Sequence, residues 1–362
     1  MSYTSKTLLF VLILMLSQTA NAKFTGEDSV RLMHQWQFEF NTYLLRHSNP
    51  DLRAYGVRSL YFNEDEKVLK EVVKTFSELS TRTDLKDSTF TLLSYVCEDE
   101  NFEYKCDELG LINNYINHYP SNLNAYFVPL ERALKVNDQS SINNIINSMS
   151  HTDFLNEWIR YSSEYDETLN YYANAFPFPN NVIEFEIADM KKRNKFSEAK
   201  QKHIIDNMPG YMLLITKIGV DFAMPSPYYK SLNSACENKS LFKNCLEIAE
   251  IMITNSHTIM SKVFGFKLKL NILNTIKEIS EANQVESQLA SFKSEYTCLI
   301  NLNYFDNIYT MNLAQETAKQ KVSRDKGELA GLSHYAKMKY VAAQKRGDEN
   351  SESLNPDLCI QE

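Results

Sequence analysis

The 362-residue chain reads as an all-α protein whose helices are stapled by disulfides. Three observations predict this. Apolar residues recur at i, i+3, i+4 spacing through most of the chain, which is the signature of a helix with one buried face. Only nine Gly and nine Pro interrupt it, too few for the many tight turns of a β-sandwich. The stretches "CEDENFEYKC" (97–106) and "CENKSLFKNC" (236–245) repeat the pattern Cys-Glu-x7-Cys, which suits short staples between helices.

The first segment, "MSYTSKTLLFVLILMLSQTANAKF", places Lys6 before an apolar run, Leu8 to Leu16, and then the small-residue site Ala20-Asn21-Ala22. That layout predicts a signal peptide over 1–22, and hence an exported, periplasmic or secreted protein. The apolar run is about half of the roughly 20 residues that span a bilayer, so an anchor is the weaker reading. The formal net charge is −8, one unit more negative without Lys6. No basic cluster stands ready to track phosphates, so a nucleic-acid partner is not expected. No later stretch predicts a membrane span; "GYMLLITKIGV" is interrupted by Lys217 and reads as a buried helix.

After the signal, a helical region is expected over 23–176. In "CDELGLINNYINHYP" the residues Leu109, Ile112, Tyr115, Ile116 and Tyr119 share one helix face, and Pro120 ends that helix. Ser121 or Asn122 caps the next. "NLNAYFVPLERALKV" continues the pattern, and Pro129 within it predicts a local kink. A turn at Asn137-Asp138 leads to a helix carrying Ile142, Ile145, Ile146 and Met149 on one face. "NAFPFPNN" (174–181) marks the expected boundary, because Pro177 and Pro179 push their predecessors out of helix. "MPSPYY" (224–229) is a second break. Both aromatic–proline stretches read as connectors pinned to the helical body by their rings, or else as ligand loops. A second helical region is expected over 177–348, with "LFKNCLEIAEIMI" and "FKLKLNILNTIKEI" as helices. The tail over 349–362 is polar enough to be flexible, tethered by Cys359.

All six cysteines follow the signal segment. Six allow fifteen pairings; the repeated short spacing favours Cys97–Cys106 and Cys236–Cys245, leaving Cys298 for Cys359. Zinc sites use closer C-x2–4-C pairs and thioredoxin-like centres use Cys-x-x-Cys. Neither spacing occurs, so disulfides in an oxidising compartment are the expected use.

The stretch "YINHYPSNLNAYFVPLERALKVNDQSSINNIINSM" (115–149) resembles a tetratricopeptide unit. Pro120 and Asn122 open it, Ala125-Tyr126 begins its first helix, and an apolar second helix follows the Asn137-Asp138 turn. It departs from that pattern at Pro129 and Ile142. "DLRAYGVRSL" near the start, Cys97 and Cys106, the Pro120–Ala125 stretch, Cys236, Cys245 and Gly265 in "TIMSKVFGFKL" together resemble a family of exported bacterial helical proteins to which no activity is attached. The resemblance implies helical hairpins stacked as a tetratricopeptide-like solenoid or an irregular helical array. It further implies a partner surface on the exposed face of the unit's first helix, at Asn124, Phe127 and Glu131.

Chemistry-bearing patterns are sparse. None of the seven histidines sits in His-Glu-x-x-His or follows a Glu by three positions. No Gly-x-Ser-x-Gly elbow or phosphate-binding loop occurs, and no cofactor or metal is expected. Carboxylate pairs such as Glu184 and Glu186, or Glu98 and Asp99, match the solvated faces helices usually carry. The expected function is a non-catalytic binding or scaffolding module of the cell envelope, taking a protein or peptide partner on the surface that stacked helices create. The alternative is an envelope-directed hydrolase with an acidic site that linear spacing does not locate.

Overall fold

The computed structural model describes residues 24–97, 99–156, 162–222, 229–303, 309, 311–348 and 350–360. The expected signal segment 1–22 lies outside them, as does most of the break at 224–229. The described residues form α-helices, with short 3-10 turns at Leu123–Tyr126, Lys239–Leu241, Ser351–Leu354 and Pro356–Cys359. Among the described residues, backbone bridging is limited to two isolated pairs, Asn122 with Phe154 and Leu155 with Ser256.

The helices run α1 (Gly26–Leu45), α2 (Pro50–Leu60), α3 (Glu66–Ser80), α4 (Asp87–Val96), α5 (Glu100–Glu108) and α6 (Leu111–His118). They continue as α7 (Phe127–Lys135), α8 (Gln139–Ser150), α9 (Ser163–Ala175), α10 (Asn180–Arg193), α11 (Glu198–Asp206) and α12 (Met208–Phe222). The last are α13 (Tyr229–Ala235), α14 (Phe242–Thr254), α15 (Ile259–Ile276), α16 (Ile279–Leu302), α17 (Leu313–Lys326) and α18 (Glu328–Arg346). Many begin on a side-chain cap. Asn49, Asp65, Asn122, Asp138, Ser197, Thr258 and Asn312 each accept a backbone N–H of the following turn, satisfying a donor the helix cannot.

Two expectations shift by a turn. The helix read continuously through Leu109 to Tyr119 breaks at Gly110, whose φ of 64° ends α5 in the left-handed region before α6 begins. Pro129 does not kink a helix interior. Residues Leu123–Tyr126 are a 3-10 turn, so α7 starts later and Pro129 falls in its first turn, where a missing N–H costs nothing.

The chain divides into two compact units. One combines Met1–Phe40, described from residue 24, with Thr168–Leu213. Its core is aromatic. Trp36 lies 4.3 Å from Phe178 and 5.4 Å from Tyr172 by ring centroids, and its Nε1 donates to Phe176 O at 2.8 Å. The aromatic–proline stretch 174–181 is thus pinned by its rings. Met190, Ile204, Met208, Tyr211 and Met212 are buried in the same unit.

The other unit combines Asn41–Glu167 with Leu214–Glu362. In α4 every residue from Thr89 to Val96 is buried. Farther along, α7 packs on α8, α8 on α14, α14 on α15, α15 on α16, α16 on α18 and α18 on α17. Phe266, Leu273, Ala282, Val285 and Leu289 are the core between α15 and α16. The disulfides are Cys97–Cys106, Cys236–Cys245 and Cys298–Cys359, with Cα separations of 5.8, 5.9 and 5.5 Å. The first two tie the end of one helix to the next helix. The third holds the C-terminal turn Pro356–Cys359 on α16, and Tyr340 donates to Glu352 at 2.9 Å, so the polar tail is seated on the helices.

Candidate functional site

The cleft with the most distinctive chemistry forms where two helical hairpins turn. The α14–α15 connection is clamped from one side by residues 153–155: Leu155 N donates to Asn255 O at 3.3 Å and Asn255 Nδ2 to Asp153 O at 2.8 Å. That clamp brings Phe154 into the wall. From the other side comes the α17–α18 turn. Glu328 N donates to His257 O at 2.8 Å, and Glu328 Oε2 accepts Ile259 N at 3.0 Å, capping α15. Gly327, at φ 90°, is required there, because a Cβ would stand 3.0 Å from His257 O. The cleft is open to solvent and holds about 640 Å³, lined among others by Phe154, Lys262, Glu295, Glu328, Leu329 and Ala330.

Two side chains set its electrostatics. Lys262, in the first turn of α15, donates Nζ to Ile253 O at 2.7 Å and to Thr254 O at 3.4 Å, carbonyls that α14 leaves open at its C-terminus. Burial lowers the pKa of its ammonium. Glu295, on α16, is pushed up by burial, and it makes no hydrogen bond or ion pair with any described residue. A contrast lies on the same helices: Lys269 pairs with Glu250 at 3.1 Å and Glu281 at 3.3 Å. Groups shifted by burial that line one cleft are a recognised mark of a functional site.

Two other constellations are closed by the protein itself. A groove of about 730 Å³ runs along α5 to α8, but its charged rim is self-paired, with Arg132 on Asp107 and, at 3.5 Å, on Glu103. Asp87 sits in a polar cluster, accepting from Asn122 Nδ2 at 2.9 Å, Asn156 Nδ2 at 2.8 Å and Tyr115 OH at 3.0 Å. Protein donors occupy both carboxylate oxygens, and the cluster locks residue 156 to the loop before α7.

The residues expected to form a partner surface are placed differently. Asn124 and Phe127 are 5% and 1% exposed, so they do not lie on an outward helix face. The 3-10 turn rotates Asn124 inward, where its Nδ2 donates to Thr91 Oγ1 at 3.2 Å. Phe127 opens α7 against Tyr229. Glu131 is partly exposed and pairs with Lys135 at 3.4 Å. All six cysteines are in disulfides. Of the carboxylate pairs, Glu186 accepts from Ser29 Oγ, and Glu98 lies outside the described residues.

Sequence reasoning missed Lys262 and Glu295, although each carried a signal. A lysine in a helix's first turn opposes the helix dipole. Glu295 interrupts the apolar stripe Phe292, Leu299, Leu302 at helical spacing. Among the described residues no group of three or more His, Cys, Asp or Glu is placed to hold a metal ion, and no helix is long and apolar enough to cross a membrane. No family model matches the chain, and no curated protein or solved structure matches it.

Proposed function

We propose that the protein is an exported, non-catalytic binding module of the cell envelope, and that it takes its ligand in the cleft between the α14–α15 and α17–α18 turns. The observation that carries this reading is that Lys262 and Glu295, both shifted by burial toward their neutral forms, line one cleft and form no ion pair with any described residue. A desolvated charge is costly unless paired, and a ligand that supplies the partners recovers that cost as affinity. Export is supported by the signal layout at 1–22 and by the closed disulfides, which persist where thiols are oxidised. The succession of packed helix pairs supports the tetratricopeptide-like reading of 115–149, with the partner site moved from Asn124, Phe127 and Glu131 to the cleft.

The hydrolase reading needs a second carboxylate poised opposite Glu295. Glu328 shares the cavity, but one of its oxygens is committed to capping α15, and this favours binding over catalysis. Native mass spectrometry of the protein recovered from the envelope or secreted fraction tests the reading. A small-molecule adduct is expected, and it should be absent from Ala330→Trp, where an indole fills the cleft. An unchanged adduct in that variant, or no adduct in either protein, refutes the assignment; turnover of the bound species would favour the hydrolase.

A further inference from the structure

We infer that the cleft recognises a zwitterion, either a free amino acid or a short unblocked peptide, with Glu295 receiving its ammonium and Lys262 its carboxylate. This rests on the binding reading above. Among the described residues the fixed side-chain charges of the cleft are balanced: Lys262 and Lys326 stand against Glu295 and Glu328. A polyanion would meet the carboxylates and a polycation the lysines, whereas a molecule carrying both signs finds a partner for each.

The donor inventory agrees. An ammonium has three N–H donors; Lys262 spends two on Ile253 O and Thr254 O, leaving one for an incoming carboxylate. Glu295 keeps both oxygens available to an ammonium. These two groups do not pair with each other among the described residues. The remaining charges are less suited: Lys326 is exposed at the rim, and Glu328 already accepts Ile259 N. Phe154, Leu329 and Ala330 supply an apolar wall for a side chain. The volume of about 640 Å³ lies within the roughly 300–1,000 Å³ of small-ligand pockets.

The test is calorimetric titration of the purified full chain with alanyl-phenylalanine, its N-acetyl form and its C-terminal amide. The free dipeptide should bind, and each blocked form should bind at least about tenfold more weakly, the scale of one lost charged partner in a desolvated site. Glu295→Gln keeps the side chain's shape and removes only a half-buried charge, so folding should survive; it should abolish the preference for the free amine and keep the preference for the free carboxylate. Lys262 caps α14, so the amide form, and not a Lys262 variant, probes that half. The inference is overturned if the N-acetyl form binds as well as the free dipeptide, or if Glu295→Gln retains the amine preference. No dipeptide binding alongside an adduct that Ala330→Trp abolishes would refute the zwitterion and leave the binding site standing. Absence of both would refute both.

Discussion

Gly265→Ala measures how closely α15 must approach α14 to build the cleft. A methyl group on Gly265 would stand 2.8 Å from Ala249 O, 2.9 Å from Met252 Cβ and 3.1 Å from Ile253 Cγ1, where ordinary contact begins near 3.4 Å. The carbonyl and Cβ belong to a rigid backbone, so α15 has to retreat by about 0.6 Å, since a close-packed interior has no slack to absorb the overlap. Overpacking of this kind costs about 1–3 kcal/mol. Against it stands the helix propensity of alanine, worth about 1 kcal/mol over glycine in a helix interior. The retreat also lengthens the 2.7 Å bond from Lys262 Nζ to Ile253 O, forfeiting part of a charged hydrogen bond worth about 1.5–3 kcal/mol. The net expectation is a loss of about 1–2 kcal/mol. Urea denaturation followed by far-UV circular dichroism reads it as a lowered midpoint with an unchanged slope. A midpoint equal to or above that of the parent would mean propensity wins, and that α14 and α15 do not meet at this distance.

Gly56→Ala should destabilise for the same reason and more severely, because its Cβ would meet only backbone, Leu45 N at 2.5 Å and Leu45 Cα at 2.7 Å; the same urea titration checks it. Asn122→Ala removes a fully buried amide that caps Asn124 N and holds Asp87, so a loss of about 3 kcal/mol is expected from orphaned polar groups, and a loss under 1 kcal/mol would show the cluster to be redundant. Non-reducing peptide mapping should recover Cys97–Cys106, Cys236–Cys245 and Cys298–Cys359 as linked peptides. Reduction should lower stability, with loop-entropy ceilings of about 2.7 kcal/mol for each short loop and about 4 kcal/mol for the long one, while a chelator should leave the unfolding temperature unchanged. Lys86, 2.9 Å from Glu164, holds that carboxyl at about 2, below its usual 4.5. A depressed carboxyl supplies its stability above pH 4.5 and loses it as pH falls toward 2. The urea midpoints of the parent and Glu164→Gln should therefore converge across that window, and less so at high salt because the pair is partly exposed.

Helix content, caps and staples were legible along the chain because each is set by residues close in sequence. Asn122 and Asp138 cap where a capping residue precedes an apolar run, and the twin Cys-Glu-x7-Cys stretches close on themselves because nine residues span one helix end and the next. The turn at Asn137-Asp138 follows from the same local chemistry. The expected kink at Pro129 differs from the structure by only a few residues: a kink and a first-turn proline differ in where the helix begins, and the 3-10 turn before α7 decides that.

The cleft is of another kind. Lys262 and Glu295 line one cleft only after α15 folds back on α16, and Phe154 and Glu328 reach it from segments about a hundred residues before and some thirty residues after, held by hydrogen bonds to Asn255, His257 and Ile259. Spacing along the chain determines which face of a helix turns inward. It does not determine which other helix meets that face, and so it could not show that a half-buried lysine and a half-buried glutamate line one cleft. The cleft that both groups line is assembled from segments distant in sequence, and only the tertiary structure decided it.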